Sequence, residues 1–326
     1  MTKTIYLHVG PHKTGTTVIQ KACLDNTDVL DKHGVSFPSL YFTPIGHHDL
    51  VNTVRRRAIS DEDLATLASG HEKALLSSEN FIHFSAQDWK YLSERLAQFE
   101  VKIIYAWRRS SLKMYSMWQE SVKHGGTTPF HAFFYQDLIR PGESKSLMQT
   151  LNLDAMAAAF GKDNIHILDF DALSESKMLV SEFFNLLGVD GTQIDISGQS
   201  QGFRNESMDP VTTEVLRCLN SLSVKAGYPQ NSKTREVFSA LQPTLDAEME
   251  QAKSLMENDV DTFEVGDYFV DRATEHALKS KFMTNLVHYK AQKRTKNIKV
   301  ANQDWLLKPQ AYQLISAMHE KIMKNY

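Results

Sequence analysis

Thr4-Ile5-Tyr6-Leu7-His8-Val9, running straight into Gly10-Pro11-His12-Lys13-Thr14-Gly15-Thr16-Thr17, is the stretch that decides how this chain folds. The first six residues are mostly apolar and only strand length, which reads as a short buried β-strand. The next eight are rich in Gly, Thr and Pro and read as a loop. Beyond it Val18, Ile19, Ala22 and Leu24 suggest a helix with an apolar face. Strand, glycine loop and helix in that order open a nucleotide-binding βα unit. A phosphate held there needs small residues, so that the backbone can approach, and free N–H groups at the helix start. It also needs a cation, which Lys13 supplies, and the hydroxyls of Thr14, Thr16 and Thr17 can donate to the remaining oxygens.

The spacing narrows the ligand. A nucleoside-triphosphate loop reads G-x-x-x-x-G-K-[ST], with lysine directly after the second glycine. Here Thr16 follows Gly15, and the lysine lies two residues before that glycine. A simple triphosphate loop is therefore disfavoured. A bare G-x-x-x-x-G turn can also join a strand to a helix without binding anything, but Lys-Thr-Gly-Thr-Thr in this context speaks for phosphate.

Working outward, Val101-Lys102-Ile103-Ile104-Tyr105-Ala106-Trp107 is the clearest buried strand. It stops at Arg108-Arg109-Ser110-Ser111, and 112–123 continues as a helix carrying Ser116. An arginine at the C-terminal end of a strand in an open α/β sheet points into the ligand crevice. Its planar fork suits phosphate oxygens, and a hydroxyl from the next helix completes such a site. Arg109 is the register alternative to Arg108.

These two motifs, in this order, resemble the PAPS-dependent sulfotransferases, a P-loop-containing family, over roughly residues 4–210. Pro11-x-Lys13-x-Gly15-Thr16-Thr17 matches the family's 5′-phosphosulfate loop. The resemblance implies that Lys13 contacts the bridging and sulfuryl oxygens of 3′-phosphoadenosine 5′-phosphosulfate (PAPS). It implies that the backbone of residues 14–17, Gly15 included, with the Thr16 and Thr17 hydroxyls, holds the 5′-phosphate. Arg108 and Ser116, eight residues apart, match the family's 3′-phosphate site.

Sulfuryl transfer also needs a base for the acceptor's proton. Ala74-Leu75-Leu76-Ser77-Ser78 reads as a short strand ending at Glu79-Asn80, which places a carboxylate at the same sheet edge as Lys13. The resemblance to carbohydrate-type and bacterial sulfotransferases supports Glu79 as the base, where some relatives use histidine. His48 is the competing choice in Pro44-Ile45-Gly46-His47-His48-Asp49, with His47 and His12 as further alternatives. Two adjacent histidines with no third ligand in spacing make a weak metal site. His12 can touch the sulfuryl group, whereas His8 reads as a packed strand residue. Arg204, after Gly202, falls where family members close a loop over the adenine and 3′-phosphate. The Arg-Lys-Gly of the cytosolic steroid and phenol enzymes is missing there. The acceptor implied is a carbohydrate or glycolipid hydroxyl, with no metal required. The rivals are a small-molecule kinase with a degenerate phosphate loop and a non-catalytic nucleotide-binding protein.

Further elements alternate. Residues 61–71 and 89–98 read as helices, Ile165-His166-Ile167-Leu168-Asp169-Phe170 as a strand, and 181–187 as a helix closed by Gly188. Strands alternating with helices favour α/β: a central parallel sheet flanked by helices. Beyond about residue 205, the stretches 212–222, 245–256 and 312–323 read as helices, so the C-terminal part is expected to be mostly helical. The division expected is a PAPS-binding core over 1–210 and a helical extension over 211–326. Trp107, Tyr115, Trp118, Phe133, Phe134 and Tyr135 read as core, with an acceptor pocket as the alternative. The basic stretch 290–299, with Lys293, Arg294 and Lys296, reads as a solvated loop rather than a docking surface.

Composition sets the remaining bounds. The chain has 326 residues, 42% hydrophobic and 23% charged, which suits an ordinary folded α/β domain. A formal net charge of -3 supplies no basic field for nucleic acid, so an anionic ligand must be held locally. Cys23 and Cys218 are too few for a disulfide framework. No stretch reaches the ~18 consecutive apolar residues of a membrane span, and the start of the chain does not read as a signal peptide. The expected location is cytoplasmic.

Overall fold

β1 (Thr4–Val9) forms because a run of β-branched and aromatic residues is bounded by Gly10, and it is buried along almost its whole length. The computed structural model describes residues 2–144, 147–197, 208–291 and 295–326. Arg204, Lys293 and Arg294 lie outside the described residues, as does the rest of the 202–207 stretch. The remaining strands are β2 (Val35–Ser36), β3 (Lys73–Ser77), β4 (Glu100–Trp107), β5 (Ile165–Asp169), β6 (Val260–Val265), β7 (Leu286–Val287) and β8 (Lys296–Ala301).

Two compact units share the chain. The first takes residues 1–110, 142–204 and 269–292; the second takes 111–141, 205–268 and 293–326. Both units draw residues from either side of position 210, a different partition from the contiguous one read from the sequence.

The first unit is the α/β fold expected. Six strands in the order β2-β3-β1-β4-β5-β7 form one sheet, and every pairing in it is parallel. Alternation along the strands sends side chains to two cores. Ile5, Leu7, Val9, Ile103, Tyr105 and Ile167 face one, which is covered by Leu50 and Val54, Trp89 and Leu92, and Leu153 and Leu278 from flanking helices. Tyr6, Leu75, Ile104 and Leu168 face the other, where Ile19 and Cys23 meet Phe183 and Phe184. Covering on both faces explains why β1 and β4 read as continuous apolar runs rather than alternating ones.

β1 lies between β3, which precedes β4 in the chain, and β4 itself. After β1 the chain goes to the edge at β2, returns as β3 beside β1, and then crosses to β4 on the other side. In open parallel sheets such a switch point opens a crevice at the C-terminal ends of the strands. In register, His8 pairs with Ser77, Val9 with Tyr105, and Trp107 with Asp169. Gly10, Ser78, Arg108 and Phe170 therefore leave the sheet at the same edge.

The second unit is mostly helical. Its longest helix, Pro210–Lys225, is capped by Asp209, whose side chain accepts from the Thr212 N–H. The antiparallel pair β6–β8 was not legible in the sequence. Trp118 and Phe134 are buried, and Tyr115, Trp118, Phe130 and Phe134 form a chain of ring contacts. Of the aromatic residues named from the sequence, Trp107, Trp118 and Phe134 are buried core, Tyr115 and Phe133 are half-buried, and Tyr135 is exposed. Among the described residues no helix is long and apolar enough to cross a membrane.

Candidate functional site

The loop after β1 is shaped by two left-handed residues. Lys13 has φ 66° and Gly15 φ 78°. Alternating hands in successive residues turn neighbouring N–H groups towards one point, an anion-binding nest. Holding a lysine there costs about 1–2 kcal/mol, a strain that clusters at ligand sites. Gly15 suits its place, because a Cβ on it would stand 2.6 Å from Leu179 Cδ2 as well as in the unfavourable hand.

α1 (Thr16–Asp25) starts directly at this turn, with Gly15 as its N-cap and no side chain capping it. The N–H groups of Thr16 and Thr17 therefore sit at the positive end of the helix without intrahelical partners. Thr16 is buried, and its hydroxyl has no hydrogen-bond partner in the protein. An orphaned buried hydroxyl at a helix start fits a group that brings acceptor oxygens. Thr17 is half-buried one position on. The Thr14 hydroxyl donates to the Pro11 carbonyl at 2.6 Å, so its proton braces the loop. The buried face of α1 is Thr16, Ile19, Gln20, Ala22 and Cys23, whereas Val18 points outward.

Arg108 leaves β4 beside this loop. Its Nη1 donates to the Lys13 carbonyl at 3.0 Å, and its Nε donates to Asp171 Oδ1 at 3.1 Å. The guanidinium also lies over the Phe170 ring, 5.1 Å from its centre. Gln149 clamps the Arg108 backbone from its other side, donating to the carbonyl at 2.6 Å. The arginine is thus a strut of the lysine turn as well as a cation at the same edge, with Nη2 uncommitted. Arg109, the register alternative, is buried and paired with the buried Asp271 at 3.6 Å. Ser116 is half-buried on the helix Ser110–Lys123 and belongs to the second unit.

Glu79 follows β3 and begins a short 3-10 turn, Glu79–His83. It is half-buried, and Gln20 of α1 donates to its Oε2 at 3.3 Å. His48 is half-buried, with Nδ1 2.7 Å from the Ser78 hydroxyl, so it stands beside the residue preceding Glu79. His47 is different. Its Nδ1 accepts from the Ser77 N–H at 3.0 Å, and its Nε2 donates to the Pro38 carbonyl at 2.8 Å. Both nitrogens of this buried ring are used in holding the 37–48 segment against β3, which removes it from the candidate bases. His12 is half-buried with its ring 5.7 Å from that of His83. Among the described residues no group of three or more His, Cys, Asp or Glu side chains is gathered as metal ligands would be.

One residue of the site escaped the sequence reading, and another was read only as a packed strand residue. Gln20 is the first, and its signal was a polar side chain one helical turn after Thr16 on an otherwise apolar face. His8 is the other. It is fully buried, its Nδ1 lies 2.8 Å from the Ser77 hydroxyl, and its Nε2 has no partner. That nitrogen and the Thr16 hydroxyl both crowd the position a Cβ on Gly10 would take, at 3.0 and 2.3 Å.

Burial pushes His8 down to about 3 and His47 to about 4 from the ordinary value of 6.5. Both imidazoles are therefore neutral in the fold and cannot serve as acids near neutral pH. The unfolded chain protonates them near 6.5, so each contributes stability that is complete above that pH. It is lost as pH falls towards the folded values. At pH 5 the loss is about 2 kcal/mol for each ring. Urea unfolding is expected to show a clearly lower stability at pH 5 than at pH 7, and His8→Gln is expected to flatten that dependence. Equal stability at both pH values contradicts the neutral, buried rings.

No protein-family model matches the chain, and no curated protein matches it. Among solved structures, it is similar to the crystal structure of a sulfotransferase from Alicyclobacillus acidocaldarius, at 13% sequence identity and a TM-score of 0.41. The match covers 70% of this chain and 98% of that one. A likeness of that size carries no chemistry across, so the functional reading rests on the loop and its neighbours.

Proposed function

We propose that this protein is a sulfotransferase that takes a sulfuryl group from PAPS and passes it to an acceptor hydroxyl. One observation carries the reading. An uncapped helix start, an orphaned Thr16 hydroxyl, the left-handed Lys13 and the Arg108 guanidinium surround a loop that lacks the Gly-Lys-Ser/Thr ending of triphosphate binders.

The residues divide the work by charge. The N–H groups of residues 14–17 and the Thr16 and Thr17 hydroxyls hold the 5′-phosphate. Lys13 neutralises the charge that grows on the bridging oxygen as its bond to sulfur breaks. Preorganised cations of that kind supply the largest share of catalysis in group transfer. Glu79 takes the acceptor's proton while the acceptor oxygen bonds to sulfur on the opposite side. The uncommitted Nη2 of Arg108 meets the 3′-phosphate. His48 orients the acceptor beside Glu79, and His12 borders the sulfuryl group. The acceptor class is a carbohydrate or glycolipid hydroxyl, which follows from the glutamate base and the missing Arg-Lys-Gly tripeptide.

Calorimetric titration separates this reading from a kinase. Adenosine 3′,5′-bisphosphate is expected to bind without magnesium, and ATP at the same concentration is expected to give no comparable heat, with or without magnesium. Binding of magnesium-ATP alone overturns the assignment.

A further inference from the structure

Gln20 is fully buried in α1, the helix that grows out of the phosphate loop. Its Nε2 donates to Glu79 Oε2 at 3.3 Å and to the Ser77 carbonyl at 3.4 Å. Both partners only accept, which fixes the amide nitrogen on that side. The other end, Oε1, is buried with no partner. A glutamine retained only for packing would be satisfied at both ends or replaced by an apolar residue of its size. This one leaves its acceptor orphaned and spends both hydrogens on the end of β3 and on the carboxylate that follows it.

The chain makes room for that arrangement. A Cβ on Gly46 would stand 2.5 Å from Gln20 Nε2 and 2.8 Å from the Ser77 carbonyl. Gly46 precedes His47, whose ring is bonded to the Ser77 N–H. Two neighbouring elements therefore converge on the strand end that carries Glu79.

We propose that Gln20 is a positioning residue for Glu79, tying the carboxylate's place to the helix whose first turn grips the phosphate; this rests on the reading of Glu79 as the base. Gln20 touches neither substrate, and it acts by fixing which oxygen of Glu79 is left for the acceptor. Hydrogen bonds of this kind are long in the ligand-free state and tighten when the substrate is bound.

The test uses the full chain, PAPS and an acceptor found by radiolabelled sulfate transfer. Gln20→Met keeps the side chain's length and removes its donors. It is expected to lower kcat about tenfold or more, with the KM for PAPS and the affinity for adenosine 3′,5′-bisphosphate unchanged. Gly46→Ala displaces the amide without altering Gln20 or Glu79, and it is expected to give the same split. In a Glu79→Ala background Gln20→Met is expected to cost nothing further. A residue that merely packs α1 would lower stability or nucleotide affinity in both backgrounds. Where Glu79→Ala lowers turnover strongly but Gln20→Met leaves kcat intact, or adds its full loss to that of Glu79→Ala, the positioning role fails alone. Where Glu79→Ala retains turnover, the base reading fails and the positioning role with it.

Discussion

Replacing Lys13 by alanine is expected to lower kcat for sulfuryl transfer by about 10³-fold, the scale on which one preorganised charge partner contributes to a transition state. The reason is local. Lys13 is held left-handed by the turn, and its own carbonyl is fastened by Arg108. The backbone that carries the ammonium is thus fixed beside the helix start. Lys13→Arg is not expected to restore the rate, because a planar fork cannot take the place of a compact ammonium in so tight a turn. Affinity for adenosine 3′,5′-bisphosphate should fall much less than kcat, since the bisphosphate lacks the sulfuryl oxygens. Steady-state kinetics beside calorimetry measure that split. Normal turnover in Lys13→Ala refutes the role.

Glu79→Gln is expected to cost between about 10² and 10⁴ in kcat, the range spanned by a positioned general base. The substitution is nearly isosteric and keeps the link to Gln20, so nucleotide binding and thermal stability should stay close to those of the unaltered chain. The geometry narrows the alternatives. His47 has both nitrogens bonded inside the protein. His8 is buried and neutral. Unchanged turnover in Glu79→Gln would transfer the base role to His48 or His12, and the corresponding alanine variants would then show the loss.

How much of this was legible in advance follows from which interactions are local. β1 and β4 were readable to within a residue, because apolar runs bounded by glycine or paired arginines are signals carried by neighbouring positions. The helix after the loop was legible as well, but it starts at Thr16, two residues before the Val18 start read from the sequence. β2 and β7 were not, since each is two residues long and exists only through pairing with β3 and β5. The β6–β8 pair joins segments more than thirty residues apart, and nothing within either one announces the other. Within the site, Lys13, Glu79 and Arg108 could be singled out by type and place. The Lys13 carbonyl's bond to Arg108 and the Gln20 contact with Glu79 are tertiary facts. Each joins residues whose spacing in the chain carries no period.

The claim on which the rest depends is that the glycine turn and the arginine after β4 grip two ends of one nucleotide. A crystal structure with adenosine 3′,5′-bisphosphate tests it directly. The account predicts the 5′-phosphate on the N–H groups of residues 14–17 near Lys13, and the 3′-phosphate on Arg108. A bisphosphate bound with Lys13 and Arg108 facing separate cavities, or bound away from the glycine turn, would contradict it.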